Sequence, residues 1–361
     1  MAKGLVFLVL SLALVVVFHS ANAQVPSIFI LGDSTADVGT NNFLPGSTAR
    51  ADFPHNGIDF PNKRPTGRFS NGLNSADLLA KLMGYKRSPP PFFSLNIAYA
   101  VKKSSFRGIN FASGGSGLLD VTGQTMSNQR NVVPLSEQIQ QFSNVHGKLM
   151  ATMGPAGTEN FLSKSLFFIS IGSNDIFGYY HSNSTIPKQE FISTLGLAYE
   201  KYLRALLNLG ARKFGIISVP PIGCCPSQRI YNATGGCLDE LNEHARAFYV
   251  TMETLIYKLS TEYKDMKYSL GNTYEMTINV IDNPALFNFK EVKTACCGGG
   301  KFNGESFCEP NANLCSKRHQ YLFWDLFHPT QTASKLAAVT LYSSGEQRFV
   351  SPINFSQLAA A

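Results

Sequence analysis

The sequence predicts an α/β fold of three layers, in which helices cover both faces of a mostly parallel central sheet. Short, continuous apolar runs alternate with longer amphipathic stretches, which is the pattern of βαβ units. The apolar runs lack polar alternation, as expected for strands that are buried on both faces of a parallel sheet. No composition break, linker or repeat divides the 361 residues, so we expect a single domain over residues 24–361.

Each predicted element follows from its local pattern. Apolar runs that end at Gly, Asn, Asp, Ser or Pro are predicted strands, at residues 27–31, 109–112, 166–171 and 213–219. Stretches with helical periodicity are predicted helices, at residues 75–83, 135–149, 188–209, 238–263 and 330–342. Residues 35–71, rich in Gly, Pro and Asn, are predicted to form a long loop beside the end of the first strand.

Residues 1–23 have the pattern of a secretory signal peptide. Lys3 precedes an apolar run from Leu5 to Phe18, and the small residues of Ser20-Ala21-Asn22-Ala23 follow. The run is short for a membrane span, and no other segment approaches one, so we expect no transmembrane segment. We expect cleavage after Ala23 and a soluble, exported protein.

Two further features agree with export. Three N-glycosylation sequons are present, at Asn183-Ser184-Thr185, Asn232-Ala233-Thr234 and Asn354-Phe355-Ser356. Clustered cysteines in an oxidising compartment favour disulfides that staple loops, whereas adjacent Cys-Cys pairs do not have the spacing of a zinc site. The odd number leaves at least one thiol unpaired or intermolecular. All seven cysteines follow residue 223: Cys224, Cys225, Cys237, Cys296, Cys297, Cys308 and Cys315.

Composition and charge exclude several classes of protein. A hydrophobic content of 44% and a charged content of 15% indicate a globular chain. The formal net charge of +7 comes from scattered residues, without a basic run and interleaved aromatics, so we expect no nucleic-acid partner. A solvated basic surface is the simplest explanation. Weak binding to an anionic extracellular matrix stays open, because a net positive field attracts polyanions.

Polar motifs follow three of the apolar runs: Gly32-Asp33-Ser34, Gly114-Gly115-Ser116-Gly117 and Gly172-Ser173-Asn174-Asp175. Because open parallel sheets bind ligands at the carboxyl ends of their strands, we expect the three motifs to meet at one edge. A fourth motif, Trp324-Asp325-Leu326-Phe327-His328-Pro329, lies near the carboxyl terminus. Only a fold that returns this last segment to the first strand could use it with the others.

The motifs supply the side chains of a catalytic triad. Ser34 is the candidate nucleophile, His328 the general base, and Asp325 the carboxylate that orients the histidine. Because Asp325 precedes His328 by three residues, one short turn could carry both groups. Pro329 restricts the backbone of His328, since a residue before proline is biased out of the helical region.

A candidate oxyanion hole accompanies the triad. Its donors are the backbone N–H groups of Ser34 and Gly115 and the side-chain amide of Asn174. Sequence leaves open whether Gly114 or Gly115 supplies the second donor, and we choose Gly115. Asp33 is predicted to form the turn rather than to act as a second triad acid. Taken singly, each motif has a structural alternative: Asn174 as a helix N-cap, and the Gly-Asp-Ser and glycine-rich motifs as turns. Their joint occurrence at three strand ends favours catalysis.

The motifs resemble those of the SGNH hydrolases and, within them, the plant-type secreted GDSL esterase/lipases. The resemblance covers nearly the whole mature chain, with one departure, Thr35 in place of leucine after the serine. It rests on Ile30-Leu31-Gly32-Asp33-Ser34, on Gly108 to Gly117, on Ile171-Gly172-Ser173-Asn174-Asp175, on Phe323 to Thr330, and on the plant-like Pro220-Pro221-Ile222-Gly223-Cys224 and Ala295-Cys296-Cys297-Gly298.

The resemblance implies a flavodoxin-like SGNH hydrolase fold and hydrolysis of acyl esters without a metal or other cofactor. It implies that Ser34, Gly115, Asn174 and His328 are the four eponymous residues, with Asp325 as the triad acid. The implied substrates are lipids, cutin-like monomers or acylated cell-wall components, in the cell wall or apoplast. No Gly-x-Ser-x-Gly elbow is visible, which argues against the ordinary α/β-hydrolase fold.

Two alternatives stay open at this point. An extracellular acyltransferase would use the same triad and acyl-enzyme and differ only in its acceptor, an alcohol instead of water. A non-catalytic secreted binding protein would retain the pocket. The complete set of Ser34, Asn174, Asp325 and His328 argues against the second alternative, because binding alone does not require all four.

Overall fold

A computed structural model describes residues 25–125, 131–182 and 184–361. The predicted signal peptide and Asn183 lie outside these residues. The strands of the described chain are β1 (Ile28–Gly32), β2 (Gly108–Asn110), β3 (Leu166–Ser170), β4 (Lys213–Ile217), β5 (Lys267–Gly271), β6 (Cys297–Gly298), β7 (Asn313–Leu314) and β8 (Val350–Ser351).

A central sheet of the order β2-β1-β3-β4-β5-β8 organises the fold. The first five strands of this order are parallel, and only β8 is antiparallel to its neighbour. The α-helices of the described residues are α1 (Ser75–Leu82), α2 (Ile97–Ala100), α3 (Leu135–Lys164), α4 (Ser173–His181), α5 (Lys188–Asn208), α6 (Pro226–Arg229), α7 (Asp239–Glu262), α8 (Thr273–Asp282), α9 (Gln331–Ser343) and α10 (Phe355–Ala360).

Strand β1 shows how the sheet separates two hydrophobic layers. Successive side chains of a strand point to opposite faces. Phe29 and Leu31 pack in a core with α3, α5 and α7, where the Phe29 ring lies 5.1 Å from that of Phe142. Ile28 and Ile30 pack on the other face with α1, α9 and α10. The chain therefore has the predicted three-layer α/β/α architecture.

The predicted strands and helices are present with small shifts at their ends, but several elements were not predicted. Helix α3 continues past residue 149 to Lys164, although Gly154 interrupts its helical geometry with a φ of 72°. Strand β5 was missed because it mixes polar with apolar residues and lacks a continuous apolar run such as Phe214 to Ile217 of β4. The terminal strand β8 and the helices α4, α8 and α10 were also missed.

The cysteine-rich segment forms a small unit beside the sheet. Strands β6 and β7 pair antiparallel, and disulfides join Cys296 to Cys315 and Cys297 to Cys308. A third disulfide joins Cys224 to Cys237, which leaves Cys225 as a buried free thiol. The prediction of structural disulfides is confirmed, and Cys225 is the thiol that the odd number leaves over. Within the described ranges, none of the helices has the length and apolar character to cross a bilayer.

Candidate active site

The loop after β1 presents Ser34 at the carboxyl edge of the sheet. The Asp33 N–H donates to the Ser170 carbonyl at 3.0 Å, which ties the loop to the end of β3. The Asp33 carboxylate accepts the N–H and hydroxyl of Thr35 at 3.0 and 2.8 Å. A Cβ at Gly32 would lie 2.2 Å from the Ser170 carbonyl oxygen, so the close approach requires glycine. Asp33 is a turn former, as predicted.

A short turn near the carboxyl terminus carries Asp325 and His328. The Asp325 carboxylate accepts the backbone N–H groups of Phe327 and His328 at 2.9 and 2.8 Å, so the acidic side chain organises its own turn. The Trp324 N–H closes the turn by donating to the His328 carbonyl at 2.7 Å. The three-residue spacing thus places both side chains on one face of the turn.

Ser34, His328 and Asp325 are connected in series by hydrogen bonds. His328 Nε2 lies 2.8 Å from Ser34 Oγ, and Nδ1 lies 2.8 Å from both carboxylate oxygens of Asp325. The histidine and aspartate side chains are 11% and 10% exposed, so bulk water has little access to this contact. With a proton on Nδ1 held by Asp325, Nε2 is free to accept the serine proton.

The glycine-rich loop after β2 distinguishes its two candidate donors. The Gly114 N–H donates to the Asp37 carboxylate at 2.8 Å and is therefore engaged. The N–H groups of Gly115 and Ser34 have no acceptor within the described parts of the chain, and both residues line the same cavity. Gly115 has a φ of 81°, a left-handed conformation that favours glycine. Gly115, and not Gly114, thus offers a free donor beside Ser34.

Asn174 lies in the first turn of α4 and faces this loop. Its side-chain Nδ2 donates to the Ser116 carbonyl at 2.9 Å, which fixes the amide and leaves its second hydrogen for another acceptor. The N-cap position of α4 is Gly172, so the structural alternative of Asn174 as N-cap is wrong. Asp175 secures the arrangement by accepting the N–H groups of Leu118 and Leu119 at 2.8 and 3.0 Å.

Several positioning residues were not found from sequence. Gln138 of α3 is fully buried; it accepts the Gly32 N–H at 2.8 Å and donates to the Gly32 carbonyl at 2.9 Å. The Phe69 ring packs 4.9 Å from the imidazole of His328. Asp37 also accepts the N–H groups of Gly39 and Thr40, each at 2.7 Å. The sequence contained one indication of this role, because Gln138 is a polar residue on the otherwise apolar face of a predicted helix.

Burial shifts the titration of the acidic groups around the nucleophile. It raises the pKa of Asp33 to about 6, although the hydrogen bonds from Thr35 oppose the change. Burial likewise raises the pKa of Asp37 to about 6 against the opposing N–H groups of Gly114, Gly39 and Thr40. The pKa of Asp175 is also raised by burial. These carboxyls are therefore harder to ionise than exposed ones.

A cavity of about 530 Å³ opens at the triad and extends between two helices. Its lining residues on α8 and on α9 repeat at intervals of three and four, so each helix presents one face over two turns. Small side chains on α9 leave the space between the helices unfilled. The lining residues of the two helices include Thr273, Met276, Thr277, Val280, Ala333, Leu336, Ala337 and Thr340.

The two described sequon asparagines are half-buried and already hydrogen-bonded. Asn232 Nδ2 donates to the Cys237 carbonyl at 3.0 Å. Asn354 is the N-cap of α10, and its Nδ2 donates to the Ser344 carbonyl at 3.2 Å. A glycan would replace one of the two amide hydrogens in each case. Glycosylation of these asparagines stays a prediction.

A serine, a histidine and an aspartate bonded in series at the carboxyl edge of a parallel three-layer sheet are typical of a serine hydrolase. The family model of GDSL-like lipases/acylhydrolases matches residues 28–340. A GDSL esterase/lipase of Arabidopsis thaliana is 37% identical over 350 residues, which are 94% of this chain and 91% of that protein. The GDSL esterase/lipase LTL1 of the same plant is 33% identical over 354 residues, 96% of this chain and 94% of LTL1. The chain therefore belongs to the GDSL-like lipase/acylhydrolase family, a family of carboxylic ester hydrolases, which confirms the resemblance.

Proposed function

We propose that the chain is a secreted serine esterase that hydrolyses acyl esters through a covalent acyl-enzyme on Ser34. The observation that carries the proposal is the contact of 2.8 Å between His328 Nε2 and Ser34 Oγ, with Nδ1 of the same ring at Asp325. A serine hydroxyl is a weak nucleophile at neutral pH and needs an oriented base. The complete arrangement supports catalysis rather than binding alone.

In the proposed acylation step, Ser34 Oγ attacks the ester carbonyl carbon while His328 Nε2 takes the hydroxyl proton. The Asp325 carboxylate stabilises the resulting imidazolium. Collapse of the tetrahedral intermediate breaks the bond to the alcohol, which leaves with the proton from His328. Water then attacks the acyl-enzyme by the same route, and the free acid and Ser34 are regenerated.

Three donors are proposed to bind the oxyanion of the intermediate: the N–H groups of Ser34 and Gly115 and the second amide hydrogen of Asn174. Two of them are backbone groups without another acceptor in the described chain, and the third is fixed by its bond to Ser116. Donors that are held in place before the reaction need no reorganisation in the transition state.

The cavity between α8 and α9 is proposed to receive the acyl chain. It joins the triad directly, and Met276, Val280 and Leu336 contribute apolar surface that a polar substrate could not use. The proposed substrates are therefore lipids, cutin-like monomers or acylated cell-wall components. Export to the cell wall or apoplast is proposed from the amino-terminal pattern, and a secreted protein that begins at Gln24 would support it.

Hydrolysis of p-nitrophenyl esters from acetate to palmitate, by the wild type and by Ser34→Ala, tests the proposal. We expect turnover by the wild type and none by the variant, with unchanged thermal unfolding. Substantial activity in Ser34→Ala would place the nucleophile elsewhere. A parallel assay with an added alcohol separates the alternatives: a new ester as the main product would make the protein a transferase.

A further inference from the structure

The amino-terminal ends of the parallel strands form a second edge of the sheet, opposite to Ser34. Basic side chains gather in the segments that lead into β2, β3, β4 and β5. We call this surface the basic edge. The Tyr85 hydroxyl donates to the Val25 carbonyl just before β1, which brings the neighbouring residues to the same edge. The basic edge comprises Lys86, Arg87, Lys102, Lys103, Arg107, Lys164, Arg212, Lys213, Lys264 and Lys267.

The basic edge follows the amino ends of β2, β3, β4 and β5, whereas Val25 and Pro26 before β1 contribute no charge. A cleft of about 510 Å³ is lined by Lys164, Arg212, Lys213 and Lys267. A second cleft, of about 270 Å³, is lined by Lys103 and Arg107. The carboxyl-terminal part of α3 lines both clefts, with Met153 and Phe161 in the smaller and Ala156, Asn160 and Lys164 in the larger. Strands of a sheet lie about 4.8 Å apart, so the four steps from β2 to β5 span about 20 Å.

Acidic side chains on this edge neutralise little of its charge. Asp265 forms an ion pair with Arg212 of the basic edge. Glu262 also lies on this edge, but its partner Arg204 belongs to α5 and is not part of the basic edge. Glu159 lines the larger cleft and forms no ion pair with the residues that the structure describes. Lys213 is buried, and its ammonium donates to the Ala359 carbonyl at 3.2 Å, so it adds positive charge to the edge but little contact surface. In the described segments, the other eight residues of the basic edge have no carboxylate partner.

The basic edge carries the whole positive excess of the described chain. Without Lys3 and Arg130, which lie outside the described ranges, the chain has 29 Lys and Arg against 24 Asp and Glu. The basic edge holds ten of these Lys and Arg residues and three of the Asp and Glu residues. The remaining described residues therefore have 19 Lys and Arg against 21 Asp and Glu. The charge that looked scattered along the sequence is therefore concentrated in space by the parallel topology.

We infer that the basic edge binds a linear polyanion with closely spaced carboxylates, of the acidic-polysaccharide class. A row of cations along the amino ends of β2, β3, β4 and β5 matches an extended polymer, and the opposite charges attract. A lipid surface would favour several exposed apolar side chains that insert. Near this edge such residues are few among the described ones: Tyr99, which lies under the Lys103 ammonium at 4.3 Å, and Met153.

The position of the basic edge leaves the catalytic cavity open. Ser34 follows the carboxyl end of β1, whereas the basic edge precedes the amino ends of β2 to β5. A polymer bound there does not cover the cavity, so the bound protein keeps access to its ester. Binding of this kind would retain the protein on an anionic matrix while the active site faces away from it.

Retention on immobilised polygalacturonate, measured as a dissociation constant in about 20 mM and in about 500 mM NaCl, tests the inference. The edge variant is Lys102→Glu, Lys164→Glu and Lys267→Glu. The matched control is Lys290→Glu, Lys293→Glu and Lys317→Glu. All six lysines are exposed and free of ion pairs in the described chain, and each triple variant lowers the net charge by the same amount. Thermal unfolding of each variant confirms that it is folded.

We expect the wild type to bind in low salt and to be released in high salt. The edge variant should weaken binding by about tenfold or more, and the control by less than about threefold. Equal weakening by both variants would show attraction by net charge alone and overturn the inference. No binding of the wild type in low salt would overturn it as well. Tighter binding to vesicles of phosphatidylcholine with phosphatidylglycerol than to the polymer would overturn the assignment to a polysaccharide.

Discussion

The substitution Asp33→Asn tests whether a buried charge beside the nucleophile lowers the folding stability. The Asp33 side chain is 2% exposed, and burial raises its pKa from 3.8 to about 6. Both hydrogen bonds from Thr35 go to the same carboxylate oxygen, Oδ1. An asparagine can retain that acceptor and remove the charge, so the variant isolates the electrostatic effect.

The sign and size of the effect follow from the raised pKa. The folded state binds this proton more tightly than the unfolded chain, so the resulting stabilisation is complete below pH 3.8 and is lost as the pH rises to about 6. A shift of about two units corresponds to about 3 kcal/mol. We therefore expect equal free energies of unfolding for variant and wild type near pH 3. Above about pH 7 the variant should be more stable by about 3 kcal/mol.

Urea unfolding at intervals between about pH 3 and pH 8 measures this difference. Asp52→Asn is the matched control, because a hydrogen bond from Arg50 lowers the pKa of Asp52 and the sign is reversed. That partly exposed pair should change the free energy of unfolding by less than about 1 kcal/mol, and in the destabilising direction at neutral pH. A constant difference between Asp33→Asn and wild type across the range would refute the reasoning.

Three further results are expected. Asn174→Ala should lower kcat by about a hundredfold with little change in KM, because the Asn174 amide is proposed to stabilise only the transition state. Steady-state kinetics on a short ester checks this prediction. An unchanged kcat would contradict it. Ala337→Phe should fill the cavity and lower kcat/KM for long-chain esters more than for acetate. The control Val339→Phe changes a residue that is 41% exposed on the same helix, and it should leave the dependence of kcat/KM on chain length unchanged. Reduction of the disulfides should abolish esterase activity at a lower concentration of dithiothreitol than is needed to abolish the far-UV circular dichroism signal. The reason is that the N–H groups of Cys296 and Cys297 donate to the carbonyls of Phe323 and Trp324, beside the turn that carries His328. Simultaneous loss of activity and signal would argue against a local effect.

The strands that could be predicted from the sequence are those that contain a continuous apolar run. The strands β1, β3 and β4 are buried along nearly their whole length, so their runs are continuous. Strand β5 begins exposed at Lys267, and its mixed pattern did not distinguish it from a loop. Strand order and the concentration of charge on the basic edge depend on tertiary contacts that no local pattern records.

The candidate site was likewise only partly predictable from the sequence. The triad residues could be predicted because their chemistry limits which residue types can serve. Gly114 and Gly115 could not be separated, since the difference lies in a bond from Gly114 to Asp37, 77 residues away. The cavity wall was missed because Ala333 and Ala337 are also what a closely packed helix would contain. A sequence pattern does not show whether the space beside a small side chain is filled by a neighbouring residue or left as a cavity.

The long separation between the nucleophile and its base affects how the protein is made. Ser34 and His328 are 294 residues apart, and a ribosome adding about 5–20 residues per second needs about 15–60 s to cover that distance. During this interval the serine has emerged but lacks the proposed base. Under the proposed function, the growing chain cannot attack the lipids of the cell that synthesises it. Catalytic competence arrives only with the final segment, so truncated chains that end before His328 would have no esterase activity.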